Sequence, residues 1–187
     1  MADIRTLAPF ILSFEGGFVK NKFDKGGATN LGVTLKTWLN AGYDKDEDGD
    51  IDIDDLTIIT PDDATFYILE PLFWNKCWAS QITDQSIANM LVDWAWHSGA
   101  KTAIKRIQGI VGTKQDGVMG KQTLSAINNA VSAERIFDAL KSERISFLKS
   151  IVERNQSQER FLKGWLRRVE AIKYGSLTYN DDSVHEF

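Results

Sequence analysis

Residues 15–34 read Glu-Gly-Gly-Phe-Val-Lys-Asn-Lys-Phe-Asp-Lys-Gly-Gly-Ala-Thr-Asn-Leu-Gly-Val-Thr. The apolar residues before this stretch recur at helical spacing and predict a helix over 4–14, which the paired glycines end. Glycines, turn formers and short β-prone pieces then predict a twisted hairpin or ordered loop over 18–34. The stretch therefore predicts that Glu15 stands where a helix meets a small β element.

The rest of the chain has mainly helical patterns. Thr60-Pro61-Asp62-Asp63 combines an N-cap, a proline in the first turn and two acids at the positive end of the helix dipole, which predicts a helix start. Thr34 is a predicted N-cap for a helix through Leu39 that Gly42 ends, and further helical patterns cover 84–97, 103–111, 122–130, 132–155 and 159–174. The predicted fold class is therefore mainly α, an α+β arrangement with a small β-hairpin next to the helix that carries Glu15.

Composition limits the classes of function. The chain has 187 residues, of which 43% are hydrophobic and 26% charged, as in a globular protein with a substantial core. Its net charge of -4 gives no basic surface field, so we expect no nucleic-acid binding, and no apolar run is long enough for membrane insertion. The one cysteine, Cys77, excludes an intramolecular disulfide and is expected in the core. We expect the protein to be a monomer.

Glu15 is the first candidate for chemistry. A carboxyl group at a helix C-terminus faces the negative end of the helix dipole, and the neighbouring Phe14 and Phe18 remove part of its water. Both effects favour the protonated carboxyl group that general acid catalysis requires. Helices that end in Glu and Gly are also common without any function, so the motif alone leaves both interpretations open.

Asp24 and Thr29 form the second candidate. A glycine-rich hairpin can bring both residues back toward Glu15 and so place a carboxylate and a hydroxyl across a scissile bond. Inverting glycosidases need this arrangement, because one group protonates the leaving oxygen while another, across a gap, holds the attacking water. The alternative is that Asp24 and Thr29 are ordinary turn residues with local backbone hydrogen bonds.

Together these residues resemble the opening signature of glycoside hydrolase family 108, whose members are N-acetylmuramidases of lysozyme-like fold. The resemblance begins with Glu15-Gly16-Gly17-Phe18 and Asp24-x-Gly26-Gly27-x-Thr29-Asn30-x-Gly32-Val33-Thr34. It continues through segments 71–74 and 93–99 and over nearly the whole chain. The segment from Gln108 to Leu124 resembles the start of the family's peptidoglycan-binding C-terminal region.

The resemblance implies an activity and a domain organisation. The activity is hydrolysis of the β-1,4 bond between N-acetylmuramic acid and N-acetylglucosamine in peptidoglycan glycan strands, with Glu15 as general acid and Asp24 and Thr29 as further catalytic residues. Residues 1–100 are expected to form the lysozyme-like catalytic region, with an insertion at 44–55. Residues 101–175 are expected to form a helical peptidoglycan-binding region packed against it as one body, and 176–187 a flexible tail.

His97 and Ser98 are the substrate-binding residues that the resemblance suggests, with one departure from the family. Where the family pattern has Asn before Ser-Gly, this chain has His97. If the position contacts the sugar, the departure changes subsite preference or pH dependence. The alternative is a histidine that is only hydrogen-bonded at the end of a helix.

Residues 44–55 read Asp-Lys-Asp-Glu-Asp-Gly-Asp-Ile-Asp-Ile-Asp-Asp and match the calcium loop of an EF-hand. Acids occupy loop positions 1, 3, 5, 7, 9 and 12, and glycine occupies position 6. Position 12 is aspartate where glutamate is usual, which makes bidentate ligation less assured. We expect a structural calcium ion, the alternative being a solvated acidic loop; its expected ligands are Asp44, Asp46, Asp48, Asp50 and Asp55.

Two other classes of function remain open. The first is a non-catalytic peptidoglycan-binding or secretion-activating protein on the same fold, since some members of the family are described as secretion activators. The second, a calcium-responsive interaction module, has weaker support because regulatory EF-hands generally work in pairs. The N-terminal sequence shows no secretory signal, so we expect synthesis in the cytoplasm. Action on the cell wall in the periplasm then requires release by another route, as for a phage or prophage endolysin.

Overall fold

The structure is a computed structural model that describes residues 1–20 and 27–187. Its α-helices are α1 (Ile4–Ser13), α2 (Leu35–Ala41), α3 (Ile53–Ile58), α4 (Pro61–Asp63), α5 (Gln85–Ser98), α6 (Ala100–Ile110), α7 (Lys121–Asn128), α8 (Ala133–Arg154) and α9 (Glu159–Glu170). Helix α4 continues directly into a π-helical segment, Ala64–Trp74, and 3-10 turns cover Ala79–Gln81 and Gln156–Gln158. The predicted mainly α class is confirmed.

Side-chain caps fix several helix boundaries where the sequence predicts them. The backbone N–H of Thr37 donates to the Thr34 hydroxyl over 3.2 Å at the start of α2, and Gly42 ends that helix in the left-handed conformation. Thr60 and Asp63 form a reciprocal capping box around Pro61 at the start of α4. These boundaries depend on residues within four positions of one another, which is why the sequence predicts them.

The predicted hairpin is present as a small antiparallel sheet beside the end of α1. Its strands are β1 (Val19–Lys20), β2 (Ala28–Asn30) and β3 (Val33–Thr34), in that spatial order. Leu31 and Gly32 join β2 to β3 and have φ angles of 49° and 76°. Two successive residues with positive φ are what a type I′ hairpin turn requires.

A second antiparallel sheet forms at the C-terminus, from β4 (Ile172–Lys173), β5 (Ser176–Thr178) and β6 (Val184–Glu186). Leu177 is fully buried, and the backbone N–H of Asn180 donates to the Ser13 hydroxyl over 3.2 Å. Residues 176–187, expected to form a flexible tail, thus include two strands of this sheet, and flexibility of the segment stays a prediction. Strands of two or three residues, one of them wholly exposed, leave no alternating pattern for sequence reasoning to detect.

Buried apolar side chains of the described residues form two hydrophobic clusters. The larger joins α1, α5, α6 and α8 to the C-terminal sheet, and the smaller lies among β2, β3, α2, α3 and the π-helical segment. Phe73 and Trp96 pack against both clusters. The expected boundary between the catalytic and peptidoglycan-binding regions, at residues 100 and 101, falls inside the larger cluster. Cys77 is also part of this cluster. Burial raises the pKa of the Cys77 thiol to about 12.

No helix within the described part of the chain has the length and apolar composition needed to cross a membrane.

Candidate active site

Glu15 lies just beyond α1, at a cleft of about 260 Å³ where the helix end meets the hairpin. The backbone N–H of Leu31 donates to the Gly16 carbonyl over 3.1 Å, which ties the hairpin turn to the end of the helix. The cleft is lined by Glu15, Gly16, Gly17, Val19, Gly27, Thr29 and Gly32. The structure thus brings Glu15 and Thr29, two predicted site residues, to one cleft.

One carboxyl oxygen of Glu15 is held by two donors from other helices. Trp96 Nε1 of α5 donates to Glu15 Oε1 over 3.0 Å, and Arg168 Nη1 of α9 donates to the same oxygen over 2.8 Å. The Glu15 side chain is 18% exposed. Among the described residues no donor contacts Oε2, so this is the oxygen that remains for a ligand in the cleft.

Gly32 leaves the space that the Glu15 carboxyl group occupies. A Cβ atom at position 32 would lie 2.7 Å from both Glu15 Cδ and Glu15 Oε2, much closer than real Cβ contacts. The positive φ of Gly32 also disfavours any side chain there. Gly32 is therefore a positioning residue, because the carboxyl group packs directly on its backbone.

We expect Gly32→Ala to lower the predicted peptidoglycan hydrolysis about tenfold, since the added methyl group must displace the carboxyl group of the predicted acid, Glu15, and small misplacements of a catalytic group are costly. Gly42→Ala is the matched control: Gly42 has nearly the same φ, 73°, but nothing lies within 4 Å of its would-be Cβ. Both variants carry the same backbone strain. Equal initial rates of peptidoglycan hydrolysis for the two would contradict the positioning role.

Arg168 is fixed by a buried ionic network. Its Nη2 and Nε donate to Asp93 Oδ1 over 2.7 and 3.0 Å, while Arg144 Nη2 donates to Asp93 Oδ2 over 2.6 Å. The side chains of Asp93, Arg144 and Arg168 are only 0%, 3% and 6% exposed. Three helices, α5, α8 and α9, thus set the position of the guanidinium that contacts Glu15.

Burial by itself raises the pKa of Asp93, but the charges of Arg168 and Arg144 outweigh it and hold this pKa well below its usual range. Asp93 is therefore ionised at neutral pH and compensates the two buried arginines. Sequence reasoning did not identify Arg168, which is 153 positions from Glu15. The available signal was an arginine on the inner face of an amphipathic helix, next to the buried Val169.

Asp24 lies outside the described residues, so its catalytic role stays a prediction. His97 and Ser98 do not line the Glu15 cleft. They line a separate pocket of about 110 Å³, to which Arg144 and Arg168 also contribute. A substrate-binding role for His97 and Ser98 also stays a prediction.

His97 lies at the end of α5 with its Nδ1 atom 3.1 Å from the Asp93 carbonyl oxygen. Burial lowers the pKa of His97, and the Asp93 carboxylate opposes that effect. This is the hydrogen-bonded position at a helix end that sequence analysis gave as the alternative to sugar contact.

The acidic loop 44–55 brings three of its five predicted ligands together. Asp44, Asp46 and Asp48 each offer a carboxylate oxygen, and these oxygens lie within 4.8 Å of one another. Asp55 is buried and accepts backbone N–H groups from residues 45, 46 and 52. Asp50 is outside the cluster, although the neighbouring Asp48 charge raises the pKa of its carboxyl group.

The loop is separate from the Glu15 cleft, since none of the described residues that line the cleft belongs to 44–55. A cation bound there would contact neither Glu15 nor Thr29. It would instead order the loop beside the smaller hydrophobic cluster, to which Ile51, Ile53 and Leu56 contribute.

Comparison with known proteins identifies two matching regions. A family model described as "Glycosyl hydrolase 108" matches residues 8–99, and one described as "Predicted Peptidoglycan domain" matches residues 102–170. Among 12 matching chains of solved structures is SagA from Brucella abortus. It is 34% identical to this chain, the alignment covers 88% of this chain and 87% of that one, and the TM-score is 0.68. A search of curated proteins finds no match.

Proposed function

This chain belongs to the glycosyl hydrolase 108 family, and we propose that it hydrolyses peptidoglycan glycan strands at the bond between N-acetylmuramic acid and N-acetylglucosamine. The observation that carries the proposal is the setting of Glu15 at an open cleft: Trp96 and Arg168 hold one carboxyl oxygen, and no donor among the described residues contacts the other. The match of residues 102–170 to a peptidoglycan domain supports peptidoglycan as the ligand.

In the proposed reaction Glu15 Oε2 carries the proton that is transferred to the glycosidic oxygen as the C1–O bond breaks. A water molecule then forms the new bond to C1 and loses its proton, so the products are two shorter strands, one with a new reducing end. The Thr29 hydroxyl, on the same cleft, is suited to hold this water. Asp24 is proposed as the group that removes the water proton, by the family resemblance alone.

Analysis of the new reducing ends tests the proposed bond directly. Purified peptidoglycan is digested, reduced with borohydride and hydrolysed, and the resulting sugar alcohols are identified by mass spectrometry. We expect muramitol, because cleavage after N-acetylmuramic acid leaves that sugar at the reducing end. Glucosaminitol would instead show cleavage of the other glycosidic bond. Peptidoglycan binding with no new reducing ends would favour the non-catalytic alternative.

We also propose that residues 44–55 bind a structural calcium ion. The convergence of the Asp44, Asp46 and Asp48 carboxylates supports this, because hard oxygen ligands suit calcium and three close negative charges repel one another without a cation. Asp55 already accepts three backbone N–H groups, which leaves a single lone pair on its carboxylate. We therefore propose Asp44, Asp46 and Asp48 as the main side-chain ligands.

Calcium is expected to raise the melting temperature of the wild-type chain. A ligand that binds only the folded state at a hundredfold excess over its Kd contributes about 2.7 kcal/mol. The double variant Asp46→Asn with Asp48→Asn should lose most of this effect, whereas the control Asp54→Asn, an exposed acid outside the cluster, should retain it. Thermal unfolding with calcium or with chelator measures the difference. An identical calcium response in all three proteins would exclude this site.

A further inference from the structure

A second and larger groove, of about 880 Å³, is connected to Glu15 through a pair of aromatic rings. Phe73 lines the groove, and its ring centroid is 5.1 Å from that of Trp96, whose indole N–H donates to Glu15. One wall comes from residues 71–78, at the end of the π-helical segment and just after it, and the other from the start of α6 and residues 117–119. The groove therefore lies at the seam between the two regions matched by the family models.

The charge of this groove differs in sign from that of the whole protein. The chain has 26 acidic and 22 basic residues, yet the charged side chains that line the groove are Lys76 and Lys101. Both lysines are exposed, and no carboxylate within residues 1–20 and 27–187 forms a salt bridge with either ammonium group. The groove therefore favours a ligand that carries negative charge.

The Lys101 wall is shaped by a glycine. Gly117 has a φ of 76°, and a Cβ atom there would lie 2.6 Å from Lys101 Cγ and 2.8 Å from the Lys101 carbonyl oxygen. Its backbone N–H donates to the buried Gln108 side chain over 2.9 Å, which holds the loop in this position. The loop packs on the Lys101 stem and restricts it, so less side-chain entropy is lost when a ligand binds.

The opposite wall carries a strained aromatic residue. Trp78 has a φ of 49°, in the left-handed region that a bulky side chain rarely adopts. The backbone is held there because Cys77 and Ala79, on either side, are fully buried. Such strain persists where the surrounding structure fixes it, and it often marks a ligand-binding position. Here it leaves a half-buried indole on the groove wall together with Phe73.

We propose that this groove binds the stem peptide of peptidoglycan. Lys76 and Lys101 hold carboxylates of the peptide, and the Trp78 wall packs against its alanine methyl groups. The assignment rests on the proposed function, because the stem peptide is attached to the same glycan strand that the Glu15 cleft would cleave. Phe73 lines the groove and contacts Trp96, which holds Glu15, so the groove is connected to the residue proposed to cleave the strand.

The test compares two soluble strands of equal length, one with its stem peptides and one stripped of them by an amidase. Dissociation constants are measured by calorimetry in the Glu15→Gln background, where the strands are not consumed. We expect the peptide-bearing strand to bind about tenfold more tightly, as two exposed ion pairs allow. This ratio should fall toward one in Lys76→Gln with Lys101→Gln, and should persist in the control Lys149→Gln, which removes an exposed charge on α8.

Equal affinity for the two strands, or a preference that survives in the double lysine variant with its circular dichroism spectrum intact, would overturn the assignment. Hydrolysis of the stripped strand by the chain with Glu15 restored is measured in parallel. That substrate has no peptide, so its cleavage reports on the proposed function alone.

Discussion

Replacing Glu15 with glutamine is expected to lower the rate of peptidoglycan hydrolysis at least about a hundredfold. The amide has no proton that it can give to the glycosidic oxygen. Its carbonyl oxygen can still accept the hydrogen bonds from Trp96 Nε1 and Arg168 Nη1 that hold Glu15 Oε1. The loss should therefore come from the chemistry and not from a changed cleft.

The matched control is Glu153→Gln, which makes the same chemical change at an exposed position of α8. The hydrolysis rates of wild type, Glu15→Gln and Glu153→Gln are measured as release of reducing sugar from purified peptidoglycan. Circular dichroism and thermal unfolding verify that each protein is folded. A Glu15→Gln protein that hydrolyses within a few-fold of wild type would show that another group is the acid. The family assignment would then stand without the proposed mechanism.

Of the variants proposed, Asp93→Asn is expected to lower the free energy of unfolding most, by about 3–5 kcal/mol. Asp93 is the buried carboxylate that compensates both Arg144 and Arg168, at distances of 2.6 and 2.7 Å. An asparagine of the same shape keeps the space filled but leaves two buried guanidinium groups without that negative charge. Activity should fall as well, since Arg168 also holds Glu15.

The pH dependence of this effect has a definite sign. Burial raises the pKa of Asp93, but Arg168 and Arg144 lower it further, to well below the ordinary value of 3.8. A depressed folded-state pKa contributes stability above the unfolded-state pKa, and that contribution is lost as the pH falls toward the folded-state pKa. The difference in the free energy of unfolding between wild type and Asp93→Asn should therefore become smaller below about pH 4.

Urea denaturation at pH 7 and at pH 3 measures the destabilisation by Asp93→Asn and its dependence on pH. The control Asp138→Asn removes an exposed carboxylate from α8 and should change the free energy of unfolding by no more than about 0.5 kcal/mol. If Asp93→Asn destabilises no more than this control at pH 7, the buried arginines must be compensated by other groups. The network would then not fix Arg168 in the way described.

The sequence by itself determined the features that depend on neighbouring residues. Thr34 and Thr60 cap the helices that follow them, and Gly32 completes the turn that brings β3 beside β2. The position of Glu15 at the end of α1 follows from the same short-range rules. Each of these involves groups within a few positions along the chain, so residue type and spacing are sufficient to predict them.

Only the tertiary structure decided what surrounds Glu15. Trp96 and Arg168, 81 and 153 positions away, reach its carboxyl group because α5 and α9 pack beside the end of α1. The C-terminal sheet likewise exists because the core covers Leu177, in strands too short to leave a pattern. The spacing of residues along the chain does not predict which distant helices pack together, because packing depends on the fit of whole buried faces.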